Sequence, residues 1–224
     1  FQCSAGTFYD NLFRVAVNSG LRPGELFALT EDDIDLPKME ITVRKTLLYQ
    51  KLEGDIGKTF HMEEPKTKTS YRTVPINKYC KEALERQIVL HKILKNNSPY
   101  KDELEFPDLL FTTKFCTPLN SQIYCDAIEK IVNEINLTRD PLDMMEKFSG
   151  HCFRHTFATR CFEAGIQPKT VQTYLGHATL QMTMDLYTSV MDKKKADDMQ
   201  LLEDTIQLDD VDEYATENKI IKFG

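Results

Sequence analysis

The segment that decides the fold is residues 149–187, which read SGHCFRHTFATRCFEAGIQPKTVQTYLGHATLQMTMDLY. The Ser-Gly pair at its start opens a helix that continues through a phenylalanine-rich stripe and stops at Gly165. Pro168 begins a second short helix, since proline suits the first helical position, and Gly176 ends it. A third is predicted over residues 180–187. Three short helices separated by glycine stops predict a helical C-terminal half.

Outward from this segment, the N-terminal half mixes helix and strand. Residues 8–18 have a helical pattern that ends at Gly20, and Pro23 starts another short helix. Apolar and polar residues alternate over 39–44, as in a half-buried strand, and a second strand is predicted near 72–76. Further helices are predicted after Asn77 and over the stripe Tyr124, Ala127, Ile128, Ile131 and Ile135. The expected fold class is mainly α with a small antiparallel β-sheet (α+β).

Composition is that of a soluble globular protein, with 41% hydrophobic and 28% charged residues in 224. That length predicts one domain over 1–190 with a C-terminal extension over 191–224. No apolar run approaches 18 residues, so we expect no membrane association and a cytoplasmic location. Six scattered cysteines without a Cys-x-x-Cys pair predict reduced thiols.

The net charge of −7 argues at first sight against nucleic acid as a partner. The charge is unevenly distributed, however. Residues 192–224 hold ten acidic and five basic residues, so this tail carries −5 and the remaining chain only −2. A nearly neutral body can present a basic face, and DNA remains an admissible partner.

Basic and nucleophilic residues are the types that cleavage of a phosphodiester by a tyrosine requires. Arginine forks neutralise two phosphate oxygens at once. A tyrosine needs help to lose its proton, and the leaving oxygen needs a proton donor such as lysine or histidine. The candidate catalytic residues are Arg22, Lys66, His151, Arg154, His177 and Tyr187. No acidic metal-binding cluster accompanies them, so we expect no metal and no cofactor.

These residues are also consistent with two other kinds of protein. His151 and His155 stand four apart, as zinc ligands do, but the residues between them lack the glutamate of a zinc protease and include Arg154. Residues 165–187 also resemble a helix-turn-helix, which would make the chain a DNA-binding module without chemistry. Such a module would need neither Arg22 nor Lys66. Covalent attachment to DNA distinguishes the two possibilities, because only the enzyme would form it.

Four motifs carry a resemblance to a known family. They are GLRPGEL (20–26), PKTKTSYRTVPI (65–76), HCFRHTFATR (151–160) and YLGHATLQMTMDLY (174–187). On these motifs, the chain resembles the catalytic domain of the tyrosine recombinases, most closely the integrases of Tn916-like conjugative transposons. The resemblance runs from about Thr7 to Val190. It implies site-specific integration and excision of a mobile element, with a Xer-like resolvase of the same chemistry as the alternative.

The resemblance also implies roles for the candidate residues. Tyr187 would attack a DNA phosphate and give a 3′-phosphotyrosyl enzyme with a free 5′ hydroxyl. Arg22 and Arg154 would neutralise the phosphate, with Glu25 orienting Arg22. His177 would add a hydrogen bond to the same phosphate.

The resemblance assigns proton transfer to His151 and to a lysine. His151 would assist loss of the tyrosine proton. The general acid would be a lysine of the predicted 65–70 turn, where alignment with the following strand favours Lys66 and spacing leaves Lys68 open.

Partners and domain organisation follow from the same resemblance. We expect double-stranded DNA, contacted through Lys68, Arg72 and Lys169, and a homotetramer acting on two duplexes. The resemblance leaves open an accessory excision factor or a DNA-bending protein. The tail after residue 190 is expected to form a helix near 193–207 that docks on a neighbouring subunit in trans, followed by an acidic stretch. Residues 50–64 are expected to be an inserted β-hairpin, and the family's N-terminal core-binding domain is expected to be absent.

Overall fold

α-Helices dominate the part of the chain that the computed structural model describes, namely residues 4–65, 68–99 and 101–188. In chain order they are α1 (Asp10–Ser19), α2 (Pro23–Phe27), α3 (Lys78–Asn97), α4 (Ser121–Asn136), α5 (His151–Glu163), α6 (Pro168–Leu175) and α7 (181–188). Short 3-10 turns occupy Glu31–Asp33, Lys68–Ser70 and Pro141–Asp143. The three short helices predicted at the C-terminal end correspond to α5, α6 and α7.

Two small antiparallel sheets lie beside the helices. The strands are β1 (Ile34–Asp35), β2 (Glu40–Val43), β3 (Thr46–Gln50), β4 (Thr59–Glu63) and β5 (Arg72–Pro75). One sheet has the order β1-β2-β5, and β3 pairs with β4 in the other. In the larger sheet Ile41 faces Val74 across the β2–β5 pair, and both are fully buried. The predicted class, mainly α with a small antiparallel sheet, is confirmed.

Glycines end two of the helices as predicted, and their carbonyls become part of the site described below. Gly20 closes α1 with φ of 65° and donates its N–H to Ala16. Gly176 closes α6 with φ of 64°. Both adopt the left-handed conformation, which glycine reaches without a Cβ penalty. The chain therefore turns sharply at these points and leaves the two carbonyl groups free to accept side-chain hydrogen bonds.

The larger of the two clusters of buried residues is aromatic where α1, α4 and α5 meet. Phe13 stacks on Phe153 at 5.5 Å and on Tyr124 at 5.8 Å between ring centroids. Phe27 of α2 meets Tyr124 edge-on. Offset and edge-on ring pairs are the favourable geometries, and they add to the area buried. This packing holds the first turn of α5 against the helices that carry the N-terminal motif.

A smaller cluster of buried residues joins α5 to α6. Its members are Ala158, Cys161, Phe162, Val171 and Leu175. Leu186 and Tyr187 of α7 pack against this cluster from outside. The cluster therefore determines how α7 lies on the rest of the molecule.

The hairpin β3–β4 spans residues 46–63 and begins earlier than the 50–64 expected from the family resemblance. Its first strand extends to Thr46 because Leu47 is a buried core residue, which the polar composition of the following stretch hid. Asp55 fastens the turn by accepting from the N–H of Leu52 at 2.8 Å. His61 lies 3.0 Å from the same carboxylate.

Within the described residues, no helix has both the length and the apolar character needed to cross a membrane.

Candidate active site

The first turn of α2 presents Arg22 on a rigid junction. Pro23 occupies the first helical position, and Glu25 reaches back to the N-terminus of the helix. Glu25 Oε2 accepts from the backbone N–H of Arg22 at 2.8 Å, and Oε1 accepts from Nη1 of Arg22 at 2.8 Å. Nη2 of Arg22 donates to the Gly176 carbonyl at 3.0 Å. The expected contact between Glu25 and Arg22 is present, and about a third of the Arg22 side chain remains exposed.

Arg72 occupies a different place from the DNA-facing one expected from the sequence. Its side chain is only 3% exposed, and its guanidinium bonds Glu25 in a two-pronged pair at 2.9 and 2.8 Å. Its Nε donates to the Tyr174 carbonyl at 2.6 Å. Arg72 therefore braces Glu25 and the end of α6 from the interior, where it has no surface with which to contact DNA. The alternation of the strand could have indicated this burial. Val74 points inward, and Arg72, two positions earlier on the same strand, must point inward too.

Glu25 is the buried anion of this network. Burial alone would raise the pKa of Glu25, but the hydrogen bonds and charge of Arg72, together with those of Arg22, hold it below its usual value. The carboxylate is therefore ionised at neutral pH, and it faces more guanidinium charge than it can balance.

Arg154 lies on α5 beneath this network. Nη1 donates to the Gly20 carbonyl at 2.8 Å, and Nη2 donates to the Leu175 carbonyl at 2.6 Å. Burial, followed by the charge of Arg22, lowers the pKa of Arg154 to about 9, so the group stays protonated at neutral pH. These bonds use two of its five N–H donors. An anion at this point would therefore relieve the repulsion between two neighbouring cations.

His177 follows the Gly176 turn and is buried. Its Nδ1 lies 2.9 Å from the hydroxyl of Thr183, the third residue of α7. Burial, followed by the charges of Arg154 and Arg22, lowers the pKa of His177 to about 4. His177 is therefore neutral at physiological pH, and it can donate one hydrogen bond and accept another.

A cleft of about 290 Å³ brings four of the six predicted catalytic residues together. Its lining consists of Arg22, His151, Arg154, His155, His177, Met182, Asp185 and Leu186. His151 begins α5 and is exposed, so it stands at the mouth, whereas Arg154 is buried one turn further along the same helix. The cleft is open enough to receive an anion and carries fixed positive charge in its wall.

Tyr187 is not among the residues that line this cleft. Its ring packs edge-on against Phe162, with 5.2 Å between centroids and 86° between ring planes. Asp185 and Leu186, its neighbours on α7, do line the cleft. Tyr187 follows Thr183 by four residues and so lies on the same side of α7 as the contact with His177, but its ring rests on Phe162 in this conformation.

The three predicted lysines are Lys66, Lys68 and Lys169. Lys66 is outside the described residues. The backbone of Lys68 belongs to a 3-10 turn that precedes β5. Lys169 sits in the first turn of α6, where its exposed Nζ donates to Gln172 at 2.9 Å.

The alternative of a zinc site finds no support among the described residues. No three His, Cys, Asp or Glu side chains there are placed to hold a metal ion together. His151 and His155 both line the cleft, but the guanidinium of Arg154 lies in the same lining. A cationic wall disfavours a second cation and favours an anion.

The chain is similar to proteins of one family. It matches the family model described as the phage integrase family over residues 3–194. It is 34% identical over 201 residues to a tyrosine recombinase XerC-like protein of Caldanaerobacter subterraneus subsp. tengcongensis, covering 86% of this chain and 48% of that protein. It is 28% identical over 179 residues to the transposase from transposon Tn916 of Enterococcus faecalis, covering 80% of this chain and 41% of that protein.

Solved structures give the same result. The Tn1549 transposon integrase in complex with circular intermediate DNA matches with a TM-score of 0.68 and 25% identity, over 89% of this chain and 62% of that one. XerA recombinase shares the fold, with a TM-score of 0.60 and 20% identity over 87% and 60% of the two chains. These matches confirm the resemblance drawn from the four motifs. The chain spans about half the length of the curated relatives it matches.

Proposed function

The chain belongs to the phage integrase family, and from this premise we propose that it cleaves and rejoins DNA strands at specific sites, integrating and excising a mobile element. The cleft carries this proposal. Two guanidinium groups and a neutral histidine converge there, and one buried carboxylate balances only part of the charge. A phosphodiester fits this arrangement, because guanidinium forks bond phosphate oxygens in pairs.

The reaction is a transesterification in which the number of phosphate ester bonds is conserved. The Tyr187 oxygen forms a bond to phosphorus, and the bond from phosphorus to the 5′ oxygen breaks. His151 takes part in removing the tyrosine proton, and Lys66 delivers a proton to the leaving oxygen, with Lys68 as its alternative. Arg22, Arg154 and His177 stabilise the charge on the non-bridging oxygens. Attack by the 5′ hydroxyl of another strand reverses the step, so neither ATP nor a metal ion is needed.

The substrate and assembly are proposed by comparison with the relatives. The Tn1549 integrase is seen in complex with a circular intermediate of its transposon, so we propose the circular form of an element as a substrate here too. Double-stranded DNA would be contacted by Lys68 and Lys169, in a tetramer on two duplexes within the cytoplasm and at the nucleoid. An accessory excision factor or DNA-bending protein is a further candidate partner. The similarity to XerC-like proteins keeps a resolvase of chromosome dimers as the second candidate.

Covalent attachment to DNA tests the proposal directly. The chain is incubated, in the presence of EDTA, with a nicked suicide duplex that carries the junction between the element and its flanking DNA. We expect a denaturant-stable adduct with wild-type protein and with a Tyr79→Phe control, which alters an exposed tyrosine on α3. Tyr187→Phe should form none, since only the phenolic oxygen is lost.

Each other outcome has a defined meaning. An adduct with Tyr187→Phe would assign the nucleophile elsewhere. Binding without any adduct would favour the helix-turn-helix module. An adduct that needs added Zn²⁺ or Mg²⁺ would contradict the metal-free chemistry. Strand exchange between chromosomal resolution sites, but not between element ends, would favour the resolvase.

A further inference from the structure

The imidazole of His177 is held by one side chain from another element. Thr183 is fully buried, and its Oγ1 lies 2.9 Å from Nδ1 of His177. The contact joins the turn after α6 to the first turn of α7. Since Nδ1 is occupied in this way, Nε2 is the ring nitrogen left to serve the cleft that His177 lines.

The direction of this hydrogen bond decides what His177 can do for a phosphate. A neutral imidazole carries one proton, so one ring nitrogen donates and the other accepts. If Nδ1 held the proton, Nε2 would turn a lone pair toward phosphate oxygens that are themselves acceptors. If Thr183 donates to Nδ1, the ring proton is on Nε2 and can be donated to the phosphate.

Thr183 differs from other helical threonines in the use of its hydroxyl. The hydroxyls of Thr156, Thr173 and Thr188 each donate to the backbone carbonyl four residues earlier in their helix. The residue four positions before Thr183 precedes α7, which begins at residue 181. The Thr183 hydroxyl therefore has its proton available for a partner outside the helix, and the partner in reach is Nδ1.

We infer that Thr183 donates its hydroxyl proton to Nδ1 of His177 and thereby keeps the ring proton on Nε2, directed toward the scissile phosphate. Thr183 is a positioning residue that acts through His177. The hydrogen bond itself stands on the geometry, whereas its role in catalysis rests on the proposed function. The orientation of His177 therefore depends on α7, since the Thr183 hydroxyl reaches His177 only when the first turn of that helix is in place.

Ring ¹⁵N spectra of the DNA-free full chain test the hydrogen bond independently of catalysis. The chain has five histidines, and His177 is assigned by its disappearance in His177→Gln. We expect a protonated Nε2 and a bare, hydrogen-bonded Nδ1 in wild type, in Thr183→Ser and in the Thr173→Val control. Thr183→Val keeps the shape but loses the hydroxyl, so its Nδ1 signal should move. A protonated Nδ1 in wild type, or an unchanged spectrum in Thr183→Val, overturns the inference.

Cleavage of the suicide duplex then tests the consequence. Thr183→Val should slow adduct formation roughly tenfold, the population effect of one lost hydrogen bond, with DNA affinity unchanged. Thr183→Ser and the Thr173→Val control should both form the adduct at about the wild-type rate. Full cleavage by Thr183→Val overturns the positioning role while leaving the recombinase proposal intact. Absence of adduct from wild type, with the expected ¹⁵N spectra, overturns the recombinase proposal and leaves the hydrogen bond standing.

Discussion

Glu25 is the residue on which the site is assembled, because each of its oxygens accepts two hydrogen bonds from arginine groups. Oε1 bonds Nη1 of Arg22 and Nη1 of Arg72, and Oε2 bonds the backbone N–H of Arg22 and Nη2 of Arg72. Both members of the Glu25–Arg72 pair are almost fully buried. A buried pair resists removal of one partner far more than removal of both.

Removing Arg72 alone should therefore be costly. We expect Arg72→Met to lower the free energy of unfolding by about 3 kcal/mol, because a buried carboxylate loses its two-pronged partner. The double variant Arg72→Met/Glu25→Gln should be more stable than Arg72→Met. Arg14→Met, which breaks a half-exposed pair with Asp10, should cost less than about 1 kcal/mol. Denaturant titration measures all three, and a double variant no more stable than Arg72→Met would contradict a coupled pair.

The titration of His177 should appear in the stability of the fold. Its folded pKa of about 4 lies below the value of about 6.5 expected in an unfolded chain. Its contribution to stability is therefore fully present above pH 6.5 and is lost as pH falls toward 4, where the unfolded state alone takes up the proton. Burial also lowers the pKa of His91, so its contribution to stability likewise falls as the pH drops below its ordinary pKa. We thus expect His177→Gln to lose less stability than wild type between pH 6.5 and 4, and parallel curves would refute the shift.

The general acid is a choice between two lysines. A substrate whose leaving 5′ oxygen is replaced by sulfur needs no proton, because a thiolate leaves readily. It should restore cleavage by Lys66→Ala to near the wild-type rate and leave any defect of Lys68→Ala unchanged. Rescue of Lys68→Ala instead would exchange the two assignments.

The sequence predicts four of the residues that line the cleft, but not the contacts that hold them there. Arg22, His151, Arg154 and His177 meet in one cleft because short motifs place them at helix starts and glycine stops, which are local features. The expected contact of Arg72 with DNA is wrong, because its side chain is buried against Glu25. Its true partner, Glu25, lies 47 residues away in the chain, and no local pattern signals so distant a pairing.

At the scale of elements, the limits predicted for α7 are close to those observed, but the packing of its tyrosine against Phe162 was not predicted. The sequence predicts a helix over 180–187, and the structure has one over 181–188. The rotation of that helix depends on Phe162, which takes the Tyr187 ring, and on Thr183, which takes His177. Periodicity indicates that a helix forms, whereas its facing is set by packing against residues of α5 and α6.

For the proposed cleavage, we expect the ring of Tyr187 to leave its contact with Phe162. With fluorotyrosine at position 187, we expect the ¹⁹F resonance to shift when the chain assembles on an element-end duplex, as the ring leaves Phe162 for the cleft. Fluorotyrosine at the exposed position 79 serves as the control and should stay unchanged. If the signal at 187 is the same in the free chain and in an assembly competent to cleave, the tyrosine reaches the phosphate without moving.

At the scale of the whole molecule, the question is how the tail serves assembly. Residues 192–224 lie outside the described residues, and their sequence places Ala196, Met199, Leu202 and Ile206 at helical spacing. We propose that this stripe docks on a neighbouring subunit, with packing on its own domain as the alternative.

Truncation at two points separates the stripe from the acidic end. Deletion of 192–224 should reduce recombination and higher-order complexes more than binding to a single site, because docking between subunits is lost. Deletion of 208–224 alone removes much of the acidic end and should leave assembly intact. Gel-shift and recombination assays measure both, and wild-type assembly by the longer deletion would rule out docking in trans.

The sharing of Glu25 between two arginines also constrains how this protein can diverge. A lineage that changes Arg72 first leaves a buried carboxylate short of charge, and one that changes Glu25 first leaves a buried guanidinium without its anion. We expect each single step to be harmful and the double step to be better tolerated, which is sign epistasis between the two positions. Among descendants they should be inherited or replaced together, at a rate far below that of the exposed strand positions 73 and 75 beside them.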